Sequence, residues 1–491
     1  MASQASQIIS LKLLIDKDKN RVVMAEVDRD FVDTLLSFLT MPMGTIVRLI
    51  SKQPQPAIIG SLTNLYKELE NLEEEFLQTH ACKSMLLHPR NLSVIDCRRL
   101  KLNVDDTEPK YHICPDWIKC TRGFIEADFY SIFNNVNCGV CRKMMDMVIY
   151  IEKEDEGASH KGDGGAFVCG MTKFMVTDDL QVEPISPTTI LTHLHKLGIK
   201  DMNSLQETTV SIGSEEILNL LKGLLFSKTP LTDVFLRKQG FTSEAPKFVI
   251  GDVVQSKSER SPLDITMKLT ISKSTNKALY AEAGEDMVNF LLSFLTLPLG
   301  SILQLLDGNS LLGSTDNLYK SVERSKVIRD DILRNLLLQP GLCHSSYNPL
   351  QVNEYEPPSF WCTIYENPKN EDDKPYTCYL STKPQSNRGR ANECCYIVHY
   401  KSSTSETAGQ GFLKGPATFI ITDNLVFTPL VSMWSLTFLK SMNVPLDDLE
   451  VQMVDMDMKQ ASRLLKASLL SKSVLTDVFV NIGLKTPKQE K

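Results

Sequence analysis

Four cysteines in the first half of the chain have the type and spacing of metal ligands. Cys114 and Cys120 form a C-x5-C pair, and after a loop Cys138 and Cys141 form a C-x2-C pair around Gly139. Tetrahedral zinc takes four thiolate or imidazole ligands at about 2.0 to 2.3 Å, and two close pairs bring such ligands together at a low entropic cost. Glycine permits the tight turn of a zinc knuckle. The pattern predicts a structural zinc site, since four thiolates leave no position open for water.

Other interpretations of the cysteines stay open at this point. A reduced protein also keeps cysteines as small apolar core residues, without any metal. If a metal is bound, further ligands could come from Cys97 or His112. The second half is less suited to a metal, because its cysteines are widely spaced and include an adjacent pair that cannot easily bind one ion together: Cys362, Cys378, Cys394 and Cys395.

The motifs of several common enzyme classes do not occur in the sequence. It has no G-x-S-x-G elbow, no H-E-x-x-H pair and no G-x-x-x-x-G-K-[ST] loop. Two enzyme hypotheses are nevertheless kept. Cys169 could act as a nucleophile with His160 or His193 as its base. Alternatively, a cleft between the two halves of the chain could use Asp178, Asp233 or Cys169.

An internal repeat defines the elements that must position these residues. Four blocks recur in the same order: 31–44 as 287–300, 60–67 as 313–320, 174–180 as 419–425, and 231–235 as 475–479. Such agreement predicts that one module was copied whole. We predict a first module over 8–241 with a cysteine-rich loop insert, a linker over 242–262, and a second, divergent copy over 263–484. Each module is expected to bury its own apolar residues.

The periodicity of apolar residues predicts the same mixed architecture in each copy. Apolar residues over 8–15 and 22–27 flank a polar turn, which indicates a β-hairpin. Helices follow, with apolar residues at i, i+3, i+4 and i+7 from Val32 and a second apolar seam from Leu62. Strands are predicted near 147–152 and 174–182, and another helix closes each copy. The predicted fold class is α+β, with β-hairpins packed against amphipathic helices and a cysteine-bearing loop region.

Three of the repeated blocks resemble a known family. They read LLSFLTMPMG over 35–44, GSLTNLY over 60–66 and SKTPLTDVF over 227–235. These blocks are similar to a plant family described only as a domain of unknown function, and the likeness covers nearly the whole chain in both copies. The resemblance implies an uncharacterised plant protein of the cytosol or nucleus, without an assigned reaction. The family also tends to hold a cysteine-rich patch, which this sequence matches at Cys138 and Cys141.

Composition disfavours several classes of partner. The 491 residues carry a formal net charge of −7, from 60 acidic and 53 basic residues that are interspersed along the chain. We therefore expect no nucleic-acid partner, because nucleic-acid binding normally requires a basic face. The sequence starts without a signal-peptide pattern and has no stretch of about 18 apolar residues. We expect no membrane partner and a cytoplasmic or nuclear location, where the 12 cysteines stay reduced.

Together these features favour a non-enzymatic protein-interaction or scaffold protein with a structural zinc site in the first module. Its partner would be a protein that the sequence does not identify, and two linked modules would raise avidity. The alternative is a cysteine-dependent or inter-module-cleft enzyme, a hydrolase or transferase of unknown substrate.

Overall fold

The structure is a computed structural model. It describes residues 8–107, 110–121, 128–133, 136–138, 140–151, 165–170, 173–237, 263–325, 327–343, 347–355, 360–366, 376–381, 393–397, 411–430, 437, 440–441 and 443–480. The predicted linker, 242–262, lies outside these residues.

The fold is α+β, as the sequence predicts. The strands are β1 (Ile9–Asp16), β2 (Arg21–Val27), β3 (Tyr111–Ile113), β4 (Asp128–Ser131), β5 (Met147–Ile151), β6 (Phe174–Thr177), β7 (Val182–Pro184), β8 (Leu205–Ile212), β9 (Thr266–Ser272), β10 (Lys277–Gly284), β11 (Leu342–Cys343), β12 (Glu354–Tyr355), β13 (Phe360–Glu366), β14 (Tyr376–Ser381), β15 (Glu393–Ile397), β16 (Thr418–Thr422), β17 (Phe427–Pro429) and β18 (Leu449–Asp455).

The helices of the first half are α1 (Arg29–Ser37), α2 (Met43–Ser51), α3 (Leu62–Asn71), α4 (His80–Leu87), α5 (Val94–Cys97), α6 (Trp117–Thr121), α7 (Pro187–Lys196), α8 (Ser214–Phe226) and α9 (Pro230–Thr232). Those of the second half are α10 (Glu285–Ser293), α11 (Leu299–Leu305), α12 (Thr315–Arg324), α13 (Asp331–Leu338) and α14 (Met458–Leu470). None of these described helices is long and apolar enough to cross a membrane.

Two five-stranded sheets have corresponding strand orders. The first is β7-β6-β2-β1-β8 and the second is β17-β16-β10-β9-β18. Both contain the predicted hairpin, β1–β2 or β9–β10, and in both hairpins the register shifts once, after Leu14 and after Ala278. The edge strands β8 and β18 pair antiparallel with β1 and β9.

The repeated segments of the two halves pair with each other. Pro42 and Pro298 form an antiparallel β-bridge. The Met43 N–H donates to the Leu297 carbonyl at 2.9 Å, and the Leu299 N–H donates to the Met41 carbonyl at 3.0 Å. The repeated prolines therefore end the first helical segment of each half and begin a direct backbone contact between the halves.

The start of one helix in each half is bound to the closing helix of the other half. The Ser61 N–H donates to the Ser468 carbonyl at 2.9 Å, and the Ser314 N–H donates to the Leu224 carbonyl at 2.8 Å. Gly313 precedes this second contact at φ 39°, and a Cβ there would lie only 2.3 Å from the Leu224 oxygen. Only glycine lets the two backbones approach so closely in this conformation.

Most buried apolar side chains belong to one cluster that draws on both halves. A closed barrel, β13-β14-β5-β3-β4-β15, also combines three strands from each half. The expectation that each module buries its own apolar residues is therefore wrong, because the halves pack into one core. The module boundaries at 8–241 and 263–484 stay a prediction.

A side chain on the first long helix of each half holds a loop in place. Asp33 of α1 accepts hydrogen bonds from the backbone N–H groups of Ala166, Phe167 and Val168, at 2.7 to 3.0 Å. Asn289 of α10 accepts from Phe412 and Leu413 in the same way, at 2.8 and 3.0 Å. Both side chains are buried. A buried N–H that loses its acceptor costs free energy, so these residues fix the loops.

Replacing Asp33 tests this role. Asp33→Ala leaves three buried N–H groups without their acceptor, and we expect the free energy of unfolding to fall by about 3 kcal/mol or more. Asp33→Asn keeps an oxygen acceptor, as Asn289 does, and should lose clearly less. Urea denaturation followed by circular dichroism measures both values. Equal stability of Asp33→Ala and wild type would contradict the assignment.

Candidate metal centre

The four predicted cysteines lie on two turns at one end of the barrel strands. Cys114 follows β3 directly, and Cys120 lies in the short helix α6. The Trp117 N–H donates to the Cys114 carbonyl at 3.0 Å, which closes the first turn. Cys138 and Cys141 lie in the connection between β4 and β5.

A local hydrogen-bond pattern shapes the second turn. The Cys138 N–H donates to the Lys143 carbonyl at 2.8 Å, and the Arg142 N–H donates to the Cys138 carbonyl at 3.0 Å. Arg142 has a φ of 63°, so the chain turns back sharply after Cys141. Asn137 and Met144 then form an antiparallel bridge. Gly139, which the sequence predicted to permit the turn, lies outside the described residues.

The sulfur atoms have the separations of a tetrahedral metal site. All four Sγ atoms lie within 4.8 Å of one another. The Cys114 Sγ lies 3.3 Å from that of Cys141 and 3.9 Å from that of Cys120. Four sulfurs at about 2.3 Å from a zinc ion stand about 3.8 Å apart in a tetrahedron. The four thiols therefore fit one ion of this size and coordination.

The pKa values of the thiols differ with their surroundings. Burial raises the pKa of Cys114 above its usual range and raises the pKa of Cys120 to about 11. A hydrogen bond from the Lys143 backbone, followed by bonds from the neighbouring thiols, lowers the pKa of Cys141 to about 7. Four cysteine sulfurs are a soft donor set, which suits zinc better than calcium or magnesium.

An ion pair that the sequence analysis missed joins the two turns. Lys143 Nζ lies 2.5 Å from Asp116 Oδ2. This contact lowers the pKa of Asp116 and raises that of Lys143. Asp116 stands two residues after Cys114, and Lys143 stands two residues after Cys141. Side chains of opposite charge thus stand two residues after one cysteine of each pair. This pattern in the sequence could have predicted the contact.

The two further ligands that the sequence left open lie elsewhere. The group of described residues that could hold a metal consists of Cys114, Cys120, Cys138 and Cys141, without Cys97 or His112. Cys97 is buried, Asn91 Nδ2 lies 3.9 Å from its sulfur, and burial raises the pKa of its thiol to about 12. It is therefore a protonated core thiol. His112 is buried on β3, and its Nδ1 has no hydrogen-bond partner in the part of the chain that the structure describes.

The cysteines of the second half lie on three barrel strands. Cys362 is on β13, Cys378 on β14, and both Cys394 and Cys395 are on β15. Their side chains lie outside the described residues, so metal binding in the second half stays untested.

The two carboxylates considered for catalysis make structural hydrogen bonds. Asp178 accepts from the Thr232 N–H and Oγ1, each at 2.8 Å, and Arg21 Nε also donates to it. Asp423 accepts from Thr476 in the same way in the second half. Asp233 accepts from Ser227 Oγ at 2.5 Å. The contacts of Asp178 and Asp423 dock the final helical turns onto the sheets, whereas that of Asp233 lies within the closing helical segment.

The cysteine considered as a nucleophile is exposed and lies in a contact between the halves. The Cys169 N–H donates to the Val327 carbonyl at 2.9 Å. His193, one proposed base, has its Nε2 3.0 Å from the Val23 carbonyl on β2. The structure thus gives His193 a bond to the sheet. His160 lies outside the described residues.

Comparison with known proteins identifies the family of the chain but no activity. A family model described as "Protein of unknown function (DUF674)" matches residues 5–459. Neither the curated proteins nor the solved structures gave a match. Because the family model covers most of the chain, the protein belongs to the DUF674 family of proteins of unknown function.

Proposed function

We propose that the protein is a non-enzymatic interaction or scaffold protein whose cluster of Cys114, Cys120, Cys138 and Cys141 binds one structural zinc ion. The observation that carries the proposal is the convergence of four sulfurs within 4.8 Å. Four protein thiolates saturate tetrahedral zinc, so the metal would hold no water to activate. A structural role follows from the donor set itself.

The place of the cluster in the fold indicates what the metal would stabilise. The first two ligands extend from β3, and the last two lie between β4 and β5. In the barrel β3 pairs with both β4 and β5. Strands this short have few ladder hydrogen bonds, so a metal across their ends would contribute much of their local stability.

We further propose that the two halves are tandem copies of one module, acting in the cytoplasm or nucleus. The corresponding strand orders of the two sheets support the first point. Free cysteines among the described residues suit a reducing compartment. The plant origin implied by the resemblance stays a prediction.

The edge strand β18 supports an interaction role. Among the described strands it pairs with β9 alone, at the end of its sheet. Val451 is 62% exposed and Met453 is 66% exposed on this strand. An unpaired edge with large apolar side chains suits an extended segment of a partner protein, which adds to the sheet as a further strand.

The enzyme alternative has less support from the described residues. Asp178 accepts hydrogen bonds that dock a helical turn onto its sheet, and Asp233 accepts a local one from Ser227. Cys169 remains as an exposed thiol, without a described histidine bonded to it. This hypothesis stays testable by turnover measurements with Cys169→Ser.

The zinc content of purified protein tests the metal site. We expect one zinc per wild-type chain and none in Cys138→Ser/Cys141→Ser, because two of the four ligands are lost. Elemental analysis of protein purified without chelator measures both. Cys169→Ser is the matched control, since it removes a cysteine outside the cluster, and it should keep its zinc.

Thiol titration distinguishes the metal site from two other states of the same cysteines. The proposal would be contradicted if wild-type protein took up no added zinc and its four cluster cysteines were all found as free thiols. A disulfide between Cys114 and Cys141, whose sulfurs are 3.3 Å apart, would also contradict it.

Zinc affinity should fall as the pH is lowered. The raised pKa values of Cys114 and Cys120 mean that zinc must displace protons from these thiols. At lower pH more ligand sulfurs are protonated, so protons compete more strongly. Competition with a chromogenic chelator between about pH 8 and about pH 6 measures the affinity. An affinity that does not change over this range would speak against thiolate ligands.

Charged substitutions test the edge strand. Val451→Lys/Met453→Lys should abolish capture of at least one protein that wild type enriches from extract, because lysine on an edge opposes strand addition. Ile332→Lys, at a residue that is 80% exposed on α13, is the control and should retain it. The scaffold proposal fails if wild type and both variants capture the same set of proteins from extract while a metabolite screen shows turnover.

A further inference from the structure

An open cavity of about 410 Å³ lies beside the barrel in the first half. Its described lining comes from helix α2, the end of α4, the chain that leads into β3, β3 itself, and the chain after β4. This volume falls within the range of small-molecule sites, about 300 to 1,000 Å³. The cavity is distinct from the cysteine cluster, which lies beyond the other end of β3.

Two buried side chains at this cavity have polar atoms without hydrogen-bond partners. Arg48 is 6% exposed, and its Nε has no hydrogen-bond partner among the described residues. His112 is 8% exposed, and its Nδ1 likewise has no partner in the described part of the chain. Native proteins rarely leave buried polar atoms unsatisfied, and a bound ion or water is one explanation for such an atom. Both side chains line the cavity.

The remaining contacts of Arg48 hold its guanidinium in position. Its Nη1 lies 2.5 Å from Asp106 Oδ1, and its Nη2 donates to Thr107 Oγ1 at 3.1 Å. Nε is the guanidinium nitrogen of Arg48 that has no bonded partner among the described residues. Arg90 is fixed similarly, since its Nη2 donates to the carbonyls of Lys110 and Ile132.

The charge of the described lining favours an anion. Arg48, Arg90 and Lys110 are cationic, whereas Asp106 is the one acidic side chain among the described lining residues. Asp106 is itself paired with Arg48 and, at 3.3 Å, with Lys52. Burial, together with the charges of Arg48 and Lys52, lowers the pKa of His88, which also lines the cavity. Cationic side chains therefore outnumber acidic ones among the described lining residues.

Apolar side chains complete the wall. Ile132 and Phe133 are partly buried and line the same cavity. An inorganic ion would leave these groups facing water, whereas an organic body could pack against them. Sites that combine a few placed polar groups with an apolar wall are typical for small organic ligands.

We propose that this cavity binds a small organic phosphate, with Arg48 and His112 bonding the phosphate and Phe133 contacting its organic part. Several basic groups around one cavity suit the double charge of a phosphate monoester better than the single charge of a carboxylate. The proposal does not rest on the zinc site or on the scaffold role.

Isothermal titration of the full chain with phenyl phosphate tests the proposal. We expect binding by wild type, and binding at least about tenfold weaker for His112→Phe, which keeps a ring but removes the hydrogen-bonding nitrogens. His195→Phe changes an exposed histidine of α7 and should bind as wild type does. Phe133→Ala should weaken phenyl phosphate more than inorganic phosphate.

Further measurements keep the test decisive. If His112→Phe does not fold, Lys110→Gln removes a cation from the same wall and should also weaken binding. Absence of phenyl phosphate binding at millimolar concentration would overturn the proposal, as would equal affinity of wild type and the folded cavity variants. Tighter binding of benzoate than of phenyl phosphate would overturn the assignment to phosphates.

Discussion

Backbone pairing between the two halves of the chain is the constraint on which the rest of the structure depends. The pairing recurs at related places: Met41–Met43 with Leu297–Leu299, Phe76–Gln78 with Phe412–Lys414, and Phe167–Cys169 with Val327–Arg329. Asn289 of α10 accepts a hydrogen bond from Phe412 in the second pairing. Asp33 of α1 accepts one from Phe167 in the third. Residues of all three pairings, such as Met43, Phe412 and Phe167, belong to the one apolar core that the halves share.

This shared architecture explains why the cysteine cluster and the cavity lie where they do. The barrel takes β3, β4 and β5 from the first half and three strands from the second. Its first-half strands are short, and β3 lies between the other two. The cysteine turns extend from one end of β3, while His112 on the same strand faces the cavity. A metal at the turns would therefore hold the strand that also forms part of the cavity wall.

Local features of the fold were predictable from the sequence, whereas the pairing of strands that lie far apart in the sequence was not. The hairpin β1–β2, the helix after Val32 and the closing helices follow from apolar periodicity within about ten residues. The edge strand β8 was missed because its residues are mostly exposed or half-buried and only Leu205, Val210 and Ile212 are apolar. The barrel was missed because its strands come from both halves of the chain. Apolar periodicity does not indicate which strands pair with each other. For the same reason the sequence favoured two cores where there is one.

The four cysteines were predictable as a group, since each pair is local and the residue type is specific to soft metals. The cavity was not, because Arg48, Arg90 and His112 come from separate elements without a shared motif. X-ray absorption at the zinc edge of the purified protein identifies the atoms that bind the metal. We expect four sulfur ligands at about 2.3 Å and no light-atom ligand. Oxygen or nitrogen in the first coordination sphere, or an absent zinc edge in zinc-supplemented protein, would contradict it.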